Sequence, residues 1–203
     1  MILQSENINK SFRSKQVLKD VSFSVKKGTI TGIVGENGSG KTTLLKILVG
    51  LLKPDKGNVN INGEFGYCPQ EALVFPHLTV RENLRYFSAA YGIIISNKNS
   101  KGSGRWEGLL NHFQFKQYMD KRVNQLSGGT IQKLNLSIAL IHNPDLLILD
   151  EPYAGFDWET YERFWDFTLK YKEDGKSILM VTHLISEKSH FDNIYQIKNG
   201  QLE

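Results

Sequence analysis

Eight consecutive residues constrain this chain more than any others: Gly35-Glu36-Asn37-Gly38-Ser39-Gly40-Lys41-Thr42. They fit the pattern G-x-x-x-x-G-K-[ST], and they follow a short apolar run at 30–34 and precede a leucine-rich stretch. That context demands a strand, a tight turn and a helix. Glycines let backbone N–H groups converge on phosphate oxygens, an approach that side chains would block, and the helix start adds its positive dipole end. The expected nucleotide contacts are Gly35, Asn37, Gly38, Ser39, Gly40, Lys41, Thr42 and Thr43. Lys41 would reach the β- and γ-phosphates and Thr42 would hold Mg²⁺. A chance glycine-rich turn or a dinucleotide fingerprint are the competing readings, and Lys41-Thr42 directly after Gly40 favours a nucleoside triphosphate.

The rest of the chain patterns around that turn. Residues 17–25 alternate, with Val21, Phe23 and Val25 on one face, and Lys26-Lys27-Gly28 turns the chain. Residues 1–28 therefore read as antiparallel strands. A helix is expected over 41–52, with Leu44, Leu45, Leu48, Leu51 and Leu52 on one side and Pro54 beyond its end. Strands are expected at 58–62, 146–149 and 178–181, the last two as runs buried on both faces of a parallel sheet. Asn199-Gly200 signals a terminal hairpin. Between about 72 and 127 the pattern turns helical, interrupted by SNKNSKGSG at 96–104, which reads as a flexible loop. The chain of 203 residues then suits one domain: a core with a β lobe at about 1–70 and 128–203, and an inserted helical lobe at about 71–127.

Composition narrows the classes. The longest apolar stretch, 44–52, is interrupted by Lys46 and too short to span a bilayer. The opening MILQSENINK lacks the charged-then-apolar order of a secretory leader. One cysteine, Cys68, cannot make an internal disulfide. Net charge is +4, but the cations are dispersed, so a solvated surface is expected and no nucleic-acid partner.

A second acidic element sits at LLILDEP, residues 146–152. Asp150 at the strand tip can organise Mg²⁺, and Glu151 can polarise the attacking water as general base. Leu126-Ser127-Gly128-Gly129 precedes it. With this element the chain resembles the ATP-binding cassette (ABC) family, whose signature begins LSGG and lies shortly before the second acidic motif. Gln70 in GYCPQ matches that family's Q-loop, Asp157 in YAGFD its D-loop and His183 in MVTH its switch histidine. The resemblance covers essentially the whole chain. It implies a RecA-like P-loop NTPase fold: a mainly parallel core sheet flanked by helices, an N-terminal antiparallel β lobe and an inserted helical lobe. It also implies ATP and Mg²⁺ as cofactors, with Gln70 joining Thr42 and Asp150 at the metal, and a catalytic set of Glu151, His183, Gln70 and Lys41.

Ser127 reads from the sequence as the N-cap of a helix over 128–141. In the resembling family that helix end meets the γ-phosphate held by a second subunit. Ser127, Gly128, Gly129 and Asp157 are thus expected to contact ATP in trans, in a homodimer. The resemblance further implies an integral membrane transporter partner and a peripheral place on the cytoplasmic face of the membrane. The surface after Gln70 (Ala72, Leu73, Val74, Phe75 and 77–92) would receive that partner, although Leu78, Leu84, Tyr86 and Phe87 read better as packing residues. The sequence looks most like ATPases of two-component exporters; a soluble cassette ATPase acting on ribosomes or DNA is the competing class.

Three departures stand out. Thr130 replaces the usual Gln of the signature, and its short side chain is not expected to complete a capping box with Ser127. Phe12 stands where an aromatic, often Tyr, stacks on adenine, with a core role in the β lobe as the alternative. The segment 57–70 is shorter than is usual for the family, and no appended regulatory domain is expected after Asn199-Gly200.

Overall fold

A computed structural model describes residues 1–93, 101–183 and 189–203. Strands β1 (Leu3–Phe12) and β2 (Lys15–Val25) form an antiparallel pair, and β4 (Lys56–Ile61) adds to the other edge of β1. The period-two pattern explains the packing. Val21 and Val25 are fully buried and Phe23 nearly so, while Lys15, Asp20 and Ser22-like intervening positions are more exposed. Each buried valine stabilises by roughly 1.5–3 kcal/mol.

The second sheet has the order β5 (Phe65–Cys68), β6 (Leu146–Asp150), β7 (Ser177–Thr182), β3 (Ile30–Val34), β8 (Asn193–Lys198) and β9 (Gln201–Leu202). β6, β7, β3 and β8 run parallel, and β8–β9 is the hairpin expected at Asn199-Gly200. β3, β6 and β7 are buried at every position, as their unbroken apolar runs require. Helix α1 (Lys41–Leu48) packs Leu44, Leu45 and Leu48 into the same core as Leu146 and Ile148. The mainly parallel sheet with its antiparallel β lobe is the architecture the sequence implies.

Helix α1 is shorter than the leucine spacing suggests. Gly50 adopts φ 76° and the Leu52 amide turns back to the Lys46 carbonyl at 3.0 Å, so the helix ends at Leu48 and Leu51 is left exposed. The other helices are α2 (Val80–Ala90), α3 (Lys101–His112), α4 (Gly128–Leu140) and α5 (Trp158–Glu173). Residues 101–104, expected in a loop, form the first turn of α3; the remainder of that expected loop, 96–100, lies outside the described residues. α3 is anchored by buried Leu110 and by Trp106, whose indole N–H donates to Ser88 Oγ at 3.1 Å.

By contact density the chain forms two compact units. One comprises 1–67, 144–151 and 168–203; the other comprises 68–143 and 152–167. The first contains both sheets and α1. The second contains α2, α3, α4 and the first turns of α5.

Candidate nucleotide site

The phosphate-loop motif closes between β3 and α1. Gly40 caps α1 with φ 110°, a conformation that L side chains rarely adopt, and no side chain caps the helix. A Cβ at Gly35 would lie 2.4 Å from the Ile197 carbonyl oxygen, so only glycine fits where β3 passes the end of β8. The first turn of α1 carries no acidic residue, leaving its amides free to meet an anion. Ser39 Oγ is buried without a hydrogen-bond partner among the described residues. A cavity of about 600 Å³ opens beside the loop, bordered by Val17, residues 36–39 and the β8–β9 turn.

The charged groups gather at the strand ends. Lys41 is 6% exposed, and its Nζ donates to the carbonyls of Gly35 at 2.6 Å and Glu36 at 2.9 Å. Burial pushes its ammonium below the usual lysine range, against the opposing pull of Glu151 and Asp150. Asp150 is 2% exposed at the tip of β6. Burial pushes its carboxyl above the usual range, and a hydrogen bond from Thr42 works the other way. Asp150 Oδ2 is buried with no hydrogen-bond partner among the described residues.

Glu151 follows with φ 47°, an uncommon conformation for a non-glycine residue, while its amide donates to the Val181 carbonyl at 3.0 Å. The turn detaches its side chain from the strand's alternation. Glu151 Oε1 meets His183 Nδ1 at 3.0 Å, and His183 remains half exposed. A carboxylate held by a partly solvated imidazole suits proton transfer. Strain at such a position is characteristic of functional sites.

A second constellation lies in the helical unit. Ser127 is the N-cap of α4: its Oγ accepts from the Thr130 amide at 3.3 Å. Thr130 does not reach back to the backbone, as its length predicts; its Oγ1 instead pairs with Ser127 Oγ at 2.9 Å. A Cβ on Gly129 would lie 2.5 Å from the Gly155 carbonyl oxygen, so the signature turn and the loop before Asp157 touch backbone to backbone. Asp157 Oδ1 accepts from the Thr160 amide at 2.8 Å and so caps α5; a hydrogen bond from the Thr160 hydroxyl, and after it the one from the amide, hold its carboxyl below the usual range. Ser127, Gly129, Lys133 and Asp157 border one cavity of about 320 Å³. Ser127 and Gly128 are exposed.

Two further expected residues are exposed, as their readings allow, and a third departs from its reading. Gln70 is exposed in the helical unit, just beyond β5. Phe12 is 48% exposed with Lys10 Nζ 5.6 Å from its ring centroid, which excludes the core alternative. Tyr86, read as a packing residue, is 53% exposed and meets Phe75 edge-on at 4.7 Å, whereas Leu84 is buried. Tyr86 stands on the side of α2 opposite the buried Leu84, two residues before it, which the helical period allows and composition does not reveal. The reasoning from sequence also missed the capping box of α2, in which Thr79 and Glu82 bond reciprocally at 3.2 and 2.8 Å. The signal, T-x-x-E before an apolar run, was present.

The ABC transporter family model matches residues 18–154. The chain belongs to the ABC transporter family. It is 34% identical over 200 residues to an uncharacterized ABC transporter ATP-binding protein of Methanocaldococcus jannaschii, covering 98% of this chain and 75% of that protein. It is 35% identical to the Nod factor export ATP-binding protein I of Burkholderia orbicola, covering 96% of this chain and 67% of that protein. Among solved structures, a dimeric bacterial ABC transporter cassette superposes with a TM-score of 0.89 at 27% identity, covering 99% of this chain and 96% of that one. The same cassette has been captured after hydrolysis, bound to ADP and Pi. This ABC cassette is accordingly an ATP-binding, ATP-hydrolysing domain that energises transport, and among its described residues no helix is long and apolar enough to cross a membrane.

Proposed function

We propose that this cassette works as a homodimer in which each ATP is held by the phosphate loop of one copy and the signature turn of the other. The observation that carries the hydrolytic part is the Glu151–His183 pair at 3.0 Å, set one residue beyond the buried Asp150. The amides of residues 35–43 bind the triphosphate, and Lys41 leaves its loop carbonyls to neutralise the β- and γ-phosphates. Glu151 accepts a proton from the attacking water, and His183 orients Glu151 and carries part of that charge. The capped end of α4 presents Ser127, Gly128 and Gly129 to the partner copy's γ-phosphate, with Asp157 beside them. Exposed Phe12 stacks on the adenine.

The residues fit Mg²⁺. Asp150 Oδ2 is buried and has no partner among the described residues, Thr42 bonds Asp150, and these hard oxygen donors suit a small divalent cation. No cluster of three acidic, histidine or cysteine ligands exists among the described residues, in keeping with an ion held by one or two protein oxygens plus phosphates and water. Thr42, Asp150 and Gln70 would hold it, and when bound it would neutralise charge on the β- and γ-phosphates.

The work is delivered to a separate transmembrane chain, on the cytoplasmic face of the membrane, in an exporter. One relative is named for Nod factor export, and the exposed Leu73, Phe75 and Tyr86 supply an apolar docking surface. Two measurements test the proposal. ATPase activity of the purified chain rises faster than linearly with its concentration, and a polytopic membrane protein co-purifies from detergent-solubilised membranes. Strict proportionality would contradict the shared site; recovery of ribosomes or DNA instead would contradict the transport assignment.

A further inference from the structure

Helix α4 grips the chain just before Gln70 through side chains that no step above uses. Asn135 is 2% exposed and Gln132 5%. Asn135 Nδ2 donates to the Pro69 carbonyl at 2.9 Å and lies 3.2 Å from the buried Cys68 Sγ. Gln132 Nε2 approaches the same sulfur at 3.8 Å, and its Oε1 lies 3.5 Å from Asn135 Nδ2. A buried amide without partners costs about 1–3 kcal/mol, and asparagine is a weak helix former. An apolar residue would pack this position without that liability, so the polar choice calls for a reason. Pro69 lacks an N–H, so its carbonyl is the one backbone hydrogen-bonding group it offers as a handle immediately before Gln70. On the other side, Asn135 stands eight residues beyond Ser127, about 12 Å along a continuous helix.

We propose that Asn135 is a positioning residue for ATP hydrolysis: its amide ties the Pro69 carbonyl to α4, so that the backbone root of Gln70 and the Ser127 helix end move as one body. The proposal rests on the ATPase reading above. Its leverage is geometric, because a misplacement of about 1 Å in a catalytic array can cost about 10²-fold in rate.

The test compares steady-state ATPase kinetics and amide hydrogen exchange across four variants. Asn135→Leu keeps the branched outline of the side chain, somewhat enlarged, but removes the donor; Asn135→Ala covers the case of overpacking. Both are expected to lower kcat about tenfold or more while KM for ATP stays within about twofold, the pattern of a lost transition-state alignment. Exchange should accelerate in residues 70–73 and not in α1. Cys68→Ala retains the Asn135–Pro69 bond and is expected to keep the parent kcat. So is Ser137→Ala, which loses only a hydroxyl bonded to the Lys133 carbonyl of its own helix at 2.8 Å. Parent-like turnover in both Asn135 variants overturns the proposal. Equal slowing by Cys68→Ala also overturns it, because packing and not the Pro69 bond would then be responsible. If neither Asn135 variant folds while Ser137→Ala does, the residue is structural and the proposal falls. A parent chain without ATPase activity would defeat the hydrolytic reading itself, a different result.

Discussion

Gly128 and Gly129 stand side by side in the signature turn and should respond oppositely to the same methyl group. A Cβ on Gly129 would sit 2.5 Å from the Gly155 carbonyl oxygen, whereas a Cβ on Gly128 meets nothing within 4 Å. Neither glycine has a positive φ, so backbone strain does not separate them. Relieving the Gly129 clash requires roughly 0.9 Å of separation between two backbones, since ordinary contact begins near 3.4 Å. Overpacking of that kind costs about 1–3 kcal/mol. For a chain of this size each kcal/mol shifts Tm by about 2–4 °C, so Gly129→Ala is expected to melt about 2–12 °C below the parent. Gly128→Ala replaces the poorer helix former with the best one, worth up to about 1 kcal/mol, and is expected to melt at or above the parent. Differential scanning fluorimetry without nucleotide reads both shifts in the lone chain. Equal melting temperatures for the two variants, or a loss confined to Gly128→Ala, would refute the claim that the signature turn rests on the 155 carbonyl.

Other substitutions probe the nucleotide site. Glu151→Gln is expected to lower turnover by about 10²–10⁴ while ATP still binds and a stable dimer accumulates in light scattering; parent-rate turnover would remove Glu151 as the base. Phe12→Ala should weaken ATP binding by about 1–3 kcal/mol and leave inorganic tripolyphosphate binding unchanged, as calorimetry can resolve. Asp150→Asn, measured in a chelator without nucleotide, should raise Tm. Burial raises the folded-state pKa of this carboxyl, so the parent loses stability as the group is forced to ionise; the gap over the parent should widen as pH rises through and above the carboxylate range. A gap independent of pH would show that the charge at Asp150 costs the fold nothing.

Much of the fold was legible because local pattern and burial coincide. Val21, Phe23 and Val25 alternate and are buried; the runs at 146–149 and 178–181 are continuous and lie inside the sheet. The helix after the phosphate loop was read too long because leucines continue past Gly50, whose left-handed turn ends the helix regardless of hydrophobicity. The candidate site was legible as a series of short motifs, since phosphate chemistry is written in contiguous residues. What stayed hidden depends on partners far apart in sequence. Asn135 and Pro69 are separated by 66 positions, and nothing local to either announces the bond. Gly129 gives no reason for itself until Gly155 is placed against it. Side-chain direction was the other blind spot, as with Tyr86, which an apolar helix pattern cannot assign to inside or outside.

Mixing two disabled variants tests the composite site most directly. Lys41→Ala removes the phosphate-loop cation, and Ser127→Arg blocks an exposed signature turn; each alone is expected to be nearly inactive. When copies pair at random, half of the dimers are mixed and each carries one intact site, so mixing should restore about a quarter of the parent ATPase rate. A mixture no more active than its components, with dimers present, would mean that each copy builds its pocket from its own residues alone.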